Sequence, residues 1–253
     1  MRFSSLGSGS KGNATLVHAG NTLILIDCGF SIRETEKRLS RLGIAAQDLT
    51  SVLVTHEHSD HLRGVLPLAK KHRLTVKMTA GTFRSLKGVP DVNIELIDSH
   101  HSFEVGSVRV TPVSVPHDAR EPIQYVLRYA GLTLGVLTDL GSITPHVVDS
   151  YQCCDALLLE SNHDQSMLAN GSYPASLKER VASDWGHLNN SQALALLQQL
   201  KLEQLQQLVL GHISEKNNSL DLIRSMMSEM EERLAAVHYA SQDQDGLWFQ
   251  IQA

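Results

Sequence analysis

The chain has 253 residues, 42% of them hydrophobic, and a formal net charge of −5. This length can bury one large core, so we expect a single domain over residues 1–253. The negative charge argues against a protein that coats nucleic acid through bulk electrostatics, but it does not exclude a locally positive site. No apolar run approaches the roughly 18 residues that span a bilayer, and no signal-peptide pattern follows Met1. We therefore expect a cytoplasmic protein without a membrane partner.

Apolar runs and turn residues predict alternating strands and helices in the first half of the chain. The first helix begins with a capping-box pattern, Ser31-x-x-Glu34, and ends at Gly43. The other predicted elements are strands within about 2–27, a strand at 51–55, a helix at about 61–72, and strands at 75–78 and 94–97 on either side of a helix that begins near Thr79.

The second half continues with a similar alternation. The predicted elements are strands at 108–115, 123–129, 132–138 and 156–159, a helix at about 191–200, a strand at 207–211, a helix at about 219–236, and strands near 236–240 and 247–251. The segment 161–186 is expected to be loop and short helix, with Pro174 at a first helical position. The chain begins with strands, and helices are interleaved with strands in two loosely similar halves. This order predicts an α+β fold in which helices flank a β-sandwich.

The most informative segment is the hexapeptide at 56–61, His-Glu-His-Ser-Asp-His, which directly follows the apolar run 51–55. Imidazole nitrogens and carboxylate oxygens are the ligands that zinc and related divalent ions prefer. In an extended turn His56 and His58 face one way while Asp60 and His61 face another, so one segment can serve two ions. The alternative interpretation is a surface turn that happens to be rich in histidine.

Three further ligand-type residues follow apolar runs: His117, Asp139 and His212. Taken singly, each is more typical of a packed or capping residue. Taken with the hexapeptide, they indicate one rim of a sheet whose strand ends converge on a pair of metal ions.

The order of these residues, with Asp27 preceding them, resembles the metallo-β-lactamase superfamily over essentially the whole chain. The resemblance implies a four-layer αβ/βα sandwich with two divalent ions, zinc or manganese. It also implies the ligands: His56, His58 and His117 for one ion, Asp60, His61 and His212 for the other, Asp139 as a bridge, and Asp27 as a hydrogen-bond partner that orients a ligand histidine. Antibiotic-hydrolysing members typically have Cys at the bridging position, so the Asp here argues against β-lactam cleavage.

Four loops indicate which members of the superfamily the chain resembles most. The segment 185–193 is similar to the Gly-His segment of ribonuclease Z and related phosphodiesterases, in which the histidine assists cleavage. The loops 7–13, 160–164 and 211–218 resemble the YycJ (WalJ) branch. That branch implies a 5′–3′ DNA exonuclease linked to mismatch repair, which makes nucleic acid the expected partner and DNA more favoured than RNA.

The expected mechanism is attack on a phosphodiester by a hydroxide that bridges the two ions. Two residues are expected to be catalytic: Asp60 orients the nucleophile, and His187 acts as an acid or phosphate clamp. Two divalent ions outweigh the negative charge of Asp60, Asp139 and the hydroxide, and the excess suits a phosphodiester anion. The candidate substrate-binding residues are Ser10, Asn13, His163, Lys178 and Arg180.

Three alternatives remain at this point. The same metals could hydrolyse a small phosphodiester or an RNA end, or they could act on the carbonyl of a thioester or lactone. A regulatory protein that kept the fold without catalysis is the third. The presence of His187 in its Gly-His context favours a phosphodiester over a carbonyl substrate, and the complete set of ligands argues against the non-catalytic protein.

Overall fold

The computed structural model describes residues 1–88, 90–243 and 246–252, and within them two seven-stranded sheets. From edge to edge, the first sheet consists of β14 (Phe249–Gln250), β1 (Arg2–Gly7), β2 (Ala14–Ala19), β3 (Thr22–Ile26), β4 (Ser51–Leu53), β5 (Thr75–Thr79) and β6 (Ile94–Ile97). The second consists of β13 (Val237–Tyr239), β12 (Gln207–Gly211), β11 (Ala156–Glu160), β10 (Leu132–Leu137), β9 (Ile123–Tyr129), β8 (Val108–Ser114) and β7 (Phe103–Val105).

Each sheet has an antiparallel half and a parallel half. In the first sheet, β3 to β6 pair in parallel, with Ile26 opposite Leu53 in the β3–β4 register. In the second, β10 to β13 pair in parallel. Because parallel strands end at the same edge of a sheet, each parallel half presents several carboxyl-terminal strand ends side by side.

Helices follow most of the parallel strands. They are α1 (Ile32–Arg41), α2 (Ser59–Leu62), α3 (Val65–His72), α4 (Ala80–Arg84), α5 (Pro145–Ser150), α6 (Gln165–Asn170), α7 (Ala175–Ala182), α8 (Asn190–Gln199) and α9 (Leu220–Arg233), with a short 3-10 helix at Ala46–Asp48. None of the helices within the described ranges is long and apolar enough to cross a bilayer.

Three hydrophobic clusters hold four layers together. Between the sheets, Phe3 and Ile24 of the first sheet pack in one cluster with Leu127 and Val209 of the second. On the outer face of the first sheet, the cluster includes residues of α1 and α3. On the outer face of the second, it includes residues of α5, α8 and α9. This arrangement confirms the predicted α+β fold with helices on both outer faces.

The predicted helix at 61–72 is two helices, because the chain turns at Gly64. The amide of Gly64 donates to the carbonyl of Cys28 over 2.7 Å. A Cβ on Gly64 would lie 1.9 Å from the carbonyl oxygen of Phe30, so this close approach requires glycine. The turn separates α2, which carries part of the hexapeptide, from the packing helix α3.

Other differences are local. Ser31 caps α1 as predicted, by accepting from the amide of Glu34, but the Glu34 carboxylate pairs with Arg38 rather than completing the capping box. Pro174 lies at the N-cap of α7, one residue before the predicted position. Strand β7 and helix α5 were not predicted; both are short, with three and six residues.

A buried amide network centred on Asn218 ties the loop after β11 to the starts of two helices. Its side-chain nitrogen donates to the carbonyls of Ser161 and Asn162, each over 3.1 Å, and to the side chain of Asn190 over 2.8 Å. Its side-chain oxygen accepts from Asn190 and from the amide of Ser219. One side chain therefore satisfies polar groups from three segments.

We predict that Asn218→Ala lowers the free energy of unfolding by at least about 2 kcal/mol, because it leaves buried polar groups without partners. Urea unfolding of the parent and the variant measures the difference. Asn170→Ala is the matched control, since Asn170 is exposed and makes a single side-chain bond to its own helix; it should change the free energy by less than about 0.5 kcal/mol. Equal effects of the two substitutions would contradict the role of the network.

Candidate metal centre

Strand ends from the two sheets meet at one edge of the sandwich. β3 is followed by Asp27, β10 by Thr138 and Asp139, and β12 by His212. Asp27, Asp139 and His212 all adopt left-handed backbone conformations, with φ of 60°, 54° and 53°. Such conformations are uncommon for residues other than glycine and are maintained by the surrounding structure, often at functional sites.

A first group consists of the imidazoles of His56, His58 and His117, which lie close enough to share one ion. The second ring nitrogen of each already has a partner. Nδ1 of His56 bonds the hydroxyl of Thr55 over 2.9 Å, Nε2 of His58 bonds the carbonyl of Asp118 over 3.2 Å, and Nδ1 of His117 bonds the carbonyl of Gly186 over 2.9 Å. Since a carbonyl only accepts, the bonded nitrogens of His58 and His117 carry their hydrogens.

The remaining nitrogens of this group then hold lone pairs that face each other. Nδ1 of His58 lies 3.3 Å from Nε2 of His117, and the other nitrogen of each ring bonds a carbonyl. Nε2 of His56 is buried without any partner among the described residues. Burial, followed by the neighbouring imidazole of His61, holds the pKa of His56 well below its ordinary value, so the ring is neutral. Three imidazole nitrogens that converge in this way fit a divalent metal ion.

A second group consists of Asp60, His61 and His212. Nδ1 of His61 bonds the carboxylate of Asp27 over 2.8 Å, which turns Nε2 toward this group. The other oxygen of Asp27 accepts from the amide of Thr55, and the Thr55 hydroxyl donates to Asp27 as well. This geometry agrees with the expectation that Asp27 orients a ligand histidine, and it adds Thr55 as its partner.

Asp139 lies between the two groups. One carboxylate oxygen is 3.1 Å from Nε2 of His61, and the other is 3.1 Å from Nδ1 of His212. The first of these oxygens is buried and accepts no well-aligned hydrogen bond from the described residues, and an oxygen of Asp139 also lies within ligand range of His56. Burial alone lowers the pKa of His212, but the carboxylates of Asp139 and Glu160 outweigh it and raise that pKa to about 10. A position that stabilises a positive charge so strongly suits a cation.

The residues present therefore fit a pair of metal ions, and the structure brings together all seven ligands expected from the sequence. The first ion would be held by His56, His58 and His117, and the second by Asp60, His61 and His212, with Asp139 in reach of both.

Glu160 is the site residue that the sequence interpretation missed. Its carboxylate is fully buried, and one oxygen accepts from Nδ1 of His187 over 2.8 Å and from Nδ1 of His212 over 2.9 Å. The other oxygen accepts from the amides of Leu140 and Leu188. Burial alone raises the pKa of Glu160, but His187 and His212 hold it down at about 2, so the carboxylate is ionised. The available signal was its place at the end of β11, between strands that end at Asp139 and His212.

A cavity of about 370 Å³ opens over these groups. Asp60, Asp139, His187 and His212 line its floor, and Ser10 and Arg180 line its wall. Two of the predicted substrate contacts are thus at the cavity. Asn13 lies beneath it, bonded to Asp60.

The structure does not bring Lys178 or His163 to this cavity. Both line a separate cavity on the other side of α7. Nζ of Lys178 donates to the carbonyl of Ala169 over 2.7 Å, and His163 is 2% exposed. Successive residues alternate in direction here: Asn162 faces the metal centre, so His163 faces away.

A family model described as the β-lactamase superfamily domain matches residues 22–213, so the chain belongs to this superfamily. It is 34% identical over 238 residues to exodeoxyribonuclease YycJ of Bacillus anthracis, covering 92% of this chain and 89% of that protein. It is 30% identical over 232 residues to exodeoxyribonuclease WalJ of Streptococcus pneumoniae serotype 2, and the match covers 89% of this chain and 86% of that protein. The solved structure of Zn²⁺-bound PqqB from Methylobacterium extorquens matches with a TM-score of 0.75 and 18% identity, over 99% of this chain and 100% of that one. That last likeness shows the fold alone.

These matches confirm the predicted superfamily and its resemblance to the YycJ (WalJ) branch. The protein is a hydrolase with the metallo-β-lactamase fold.

We predict that His163 makes stability depend on pH. Burial lowers its pKa to about 4 from an ordinary 6.5, so the unfolded chain binds a proton between these values that the folded chain does not. The stability present above pH 6.5 is therefore lost as the pH falls toward 4. His163→Leu should reduce this loss by an amount on the order of 3 kcal/mol.

Urea unfolding of both proteins across this pH range checks the prediction. The matched control is His146→Leu, because the side chain of His146 is exposed; it should leave the pH dependence as it is in the parent. A His163→Leu variant with the parent's pH dependence would show that His163 does not contribute.

Proposed function

We propose that the protein is a dinuclear metal-dependent phosphodiesterase that acts on nucleic acid as a 5′–3′ DNA exonuclease. The two relatives that match most of the chain are named exodeoxyribonucleases, which supports DNA as the substrate. The observation that carries the proposal is the hydrogen bond between His187, which lines the cavity beside the two ligand groups, and the buried, ionised carboxylate of Glu160 behind it.

This pair supports a role for His187 as the general acid of phosphodiester cleavage. The Glu160 carboxylate accepts a hydrogen bond from Nδ1 of His187. The other ring nitrogen, Nε2, is therefore the one that would exchange a proton with a substrate oxygen. His187 lines the cavity, and its Nδ1 lies 3.6 Å from the carboxylate of Asp139. A departing ribose oxygen is strongly basic and benefits from a general acid, whereas a thiolate leaving group does not. The geometry therefore favours a phosphodiester over a thioester.

The ions, when bound, lower the pKa of a water molecule and stabilise negative charge on the attacked phosphate. The protein side chains provide the rest. Asp60, whose carboxylate faces the cavity, is placed to accept a hydrogen bond from the nucleophile and to hold it in line. His187 donates a proton to the leaving oxygen, and Glu160 holds the ring in the required orientation.

Arg180 is the cation on the cavity wall that is best placed to hold a substrate phosphate. Its side chain is 56% exposed, and it pairs with the carboxylate of Asp118 at the cavity rim. The same residue Asp118 holds His58 through its backbone carbonyl. A phosphate oxygen that replaces the Asp118 carboxylate would keep the guanidinium paired and position the strand beside the first ligand group.

We predict that His187→Ala loses phosphodiesterase activity without losing metal. Zinc- or manganese-loaded protein is incubated with end-labelled single- and double-stranded DNA and with RNA of the same sequence. General acid–base assistance is typically worth about 10²–10⁴ in rate, so DNA cleavage should fall by that order. The loss should shrink for a nitrophenyl phosphodiester, whose leaving group needs no proton.

Asp139→Ala is the comparison variant, because it should lose metal and activity together. Undiminished DNA cleavage by His187→Ala would remove the proposed acid. Cleavage of RNA but not of DNA by the parent would overturn the proposed substrate, and progressive loss of a 3′ label first would overturn the polarity.

We predict that Arg180→Ala weakens binding of the substrate. The KM for DNA should rise about tenfold, as expected for the loss of one charged hydrogen bond, while the metal content stays that of the parent. Steady-state kinetics with a labelled oligonucleotide measures the change. Lys178→Ala is the matched control, since Lys178 lies on the same helix but outside the cavity; an equal rise in both variants would indicate a general charge effect.

A further inference from the structure

We infer that Asn13 is a positioning residue for the second ligand group, where it holds the carboxylate of Asp60 in place for the second metal ion. This inference rests on the proposed two-metal site. It differs from the sequence-based expectation that Asn13 contacts the substrate.

The backbone of Asn13 fixes the backbone of Asp60. The amide of Asn13 donates to the carbonyl of Asp60 over 2.7 Å, and the carbonyl of Asn13 accepts from the amide of Gly29 over 3.0 Å. A Cβ on Gly29 would lie 1.8 Å from the Asp60 carbonyl oxygen, so three segments meet at a spacing that only glycine permits. The main chain of Asp60 therefore has little freedom to move away from Asn13.

The side chain of Asn13 fixes the side chain of Asp60 as well. Nδ2 donates to a carboxylate oxygen of Asp60 over 3.1 Å and lies 3.0 Å from Nε2 of His61. The orientation of the amide follows from its other bonds with Gly9: Oδ1 accepts from the Gly9 amide over 2.8 Å, and Nδ2 donates to the Gly9 carbonyl over 3.1 Å. Because only Oδ1 can accept, the nitrogen must be the atom that faces Asp60.

The contact is selective for one ligand group. Asn13 bonds Asp60 and contacts His61, which both belong to the second group. The three imidazoles of the first group have their own partners, which are Thr55, Asp118 and Gly186. Removal of the Asn13 amide should therefore affect the second ion and leave the first ion unaffected.

The carboxylate of Asp60 needs such a support because it is 21% exposed at the cavity. The Nε2 atoms of His61 and His212 lie farther from this carboxylate than the Asn13 amide does, at 3.5 Å and 4.0 Å. Without the amide of Asn13, the carboxylate is free to rotate toward solvent. Holding it in the ligand orientation lowers the entropic cost of binding the ion.

The test is a zinc-binding titration of the purified full-length chain by equilibrium dialysis against buffered zinc, with metal analysis of the protein. Loss of an outer hydrogen-bond partner typically costs about 10–100-fold in metal affinity. We expect Asn13→Ala to bind the first zinc as the parent does and the second zinc about 10–100-fold more weakly. Asn13→Ser, whose hydroxyl is too short to reach Asp60, serves as a second variant if Asn13→Ala does not fold.

The matched control is Gln242→Ala. Gln242 holds the same loop from the other side, by accepting from the amide of Lys11 over 2.9 Å and donating to the carbonyl of Gly12 over 2.8 Å, without contact to Asp60. It should leave both zinc affinities near those of the parent. An equal loss in Gln242→Ala would show that the loop, and not the Asn13 amide, supports the site.

Two further outcomes would overturn the inference. Unchanged affinity for the second zinc in Asn13→Ala would show that Asp60 needs no support, and tighter binding would show that the amide competes with the ion. A parent chain that binds a single zinc would overturn both this inference and the two-metal part of the proposed function. A parent that binds two ions but cleaves no DNA would contradict the proposed substrate alone, and the expected loss in Asn13→Ala would still support the inference.

Discussion

The burial of the Asp139 carboxylate is the constraint on which the rest of the site depends. Taking a carboxylate out of water costs several kcal/mol unless it is paired and hydrogen-bonded, and this one is 2% exposed. His61 and His212, both of the second ligand group, approach its two oxygens at 3.1 Å. These imidazoles are in turn held by the buried carboxylates of Asp27 and Glu160. Acids and imidazoles therefore alternate through the centre, and a pair of cations would complete the balance of charge.

The sandwich supplies this alternation through its parallel halves. Strand ends of one sheet deliver Asp27 and the hexapeptide, and neighbouring strand ends of the other deliver Asp139, Glu160 and His212. Left-handed backbone conformations occur at three of these ends, at Asp27, Asp139 and His212, and the surrounding hydrogen bonds maintain that strain. The Asn218 network and the close contact at Gly29 belong to the same framework, because both fix loops that carry site residues.

The floor and the wall of the cavity differ in how firmly they are held. Groups of the floor are held by buried partners, such as Glu160, whose carboxylate bonds His187, His212 and two backbone amides. Much of the wall comes from the segment between Glu160 and His187, where α7 contributes no buried residue. The geometry of the candidate ligands is thus set by the core of the fold, whereas the proposed phosphate contact, Arg180, lies on a surface helix.

The sequence by itself determined the superfamily and the fold class, and it predicted the ligand-type residues that the structure brings together, because the hexapeptide has a local spacing and each of the other predicted ligands follows an apolar run. It did not determine which of the polar loop residues reach the site. Only the tertiary structure showed that Asn13 bonds Asp60, that Lys178 and His163 line a different cavity, and that Glu160 bonds both His187 and His212. These contacts link residues 27 to 52 positions apart, and side-chain direction at the end of a strand depends on backbone turns and packing that periodicity does not encode.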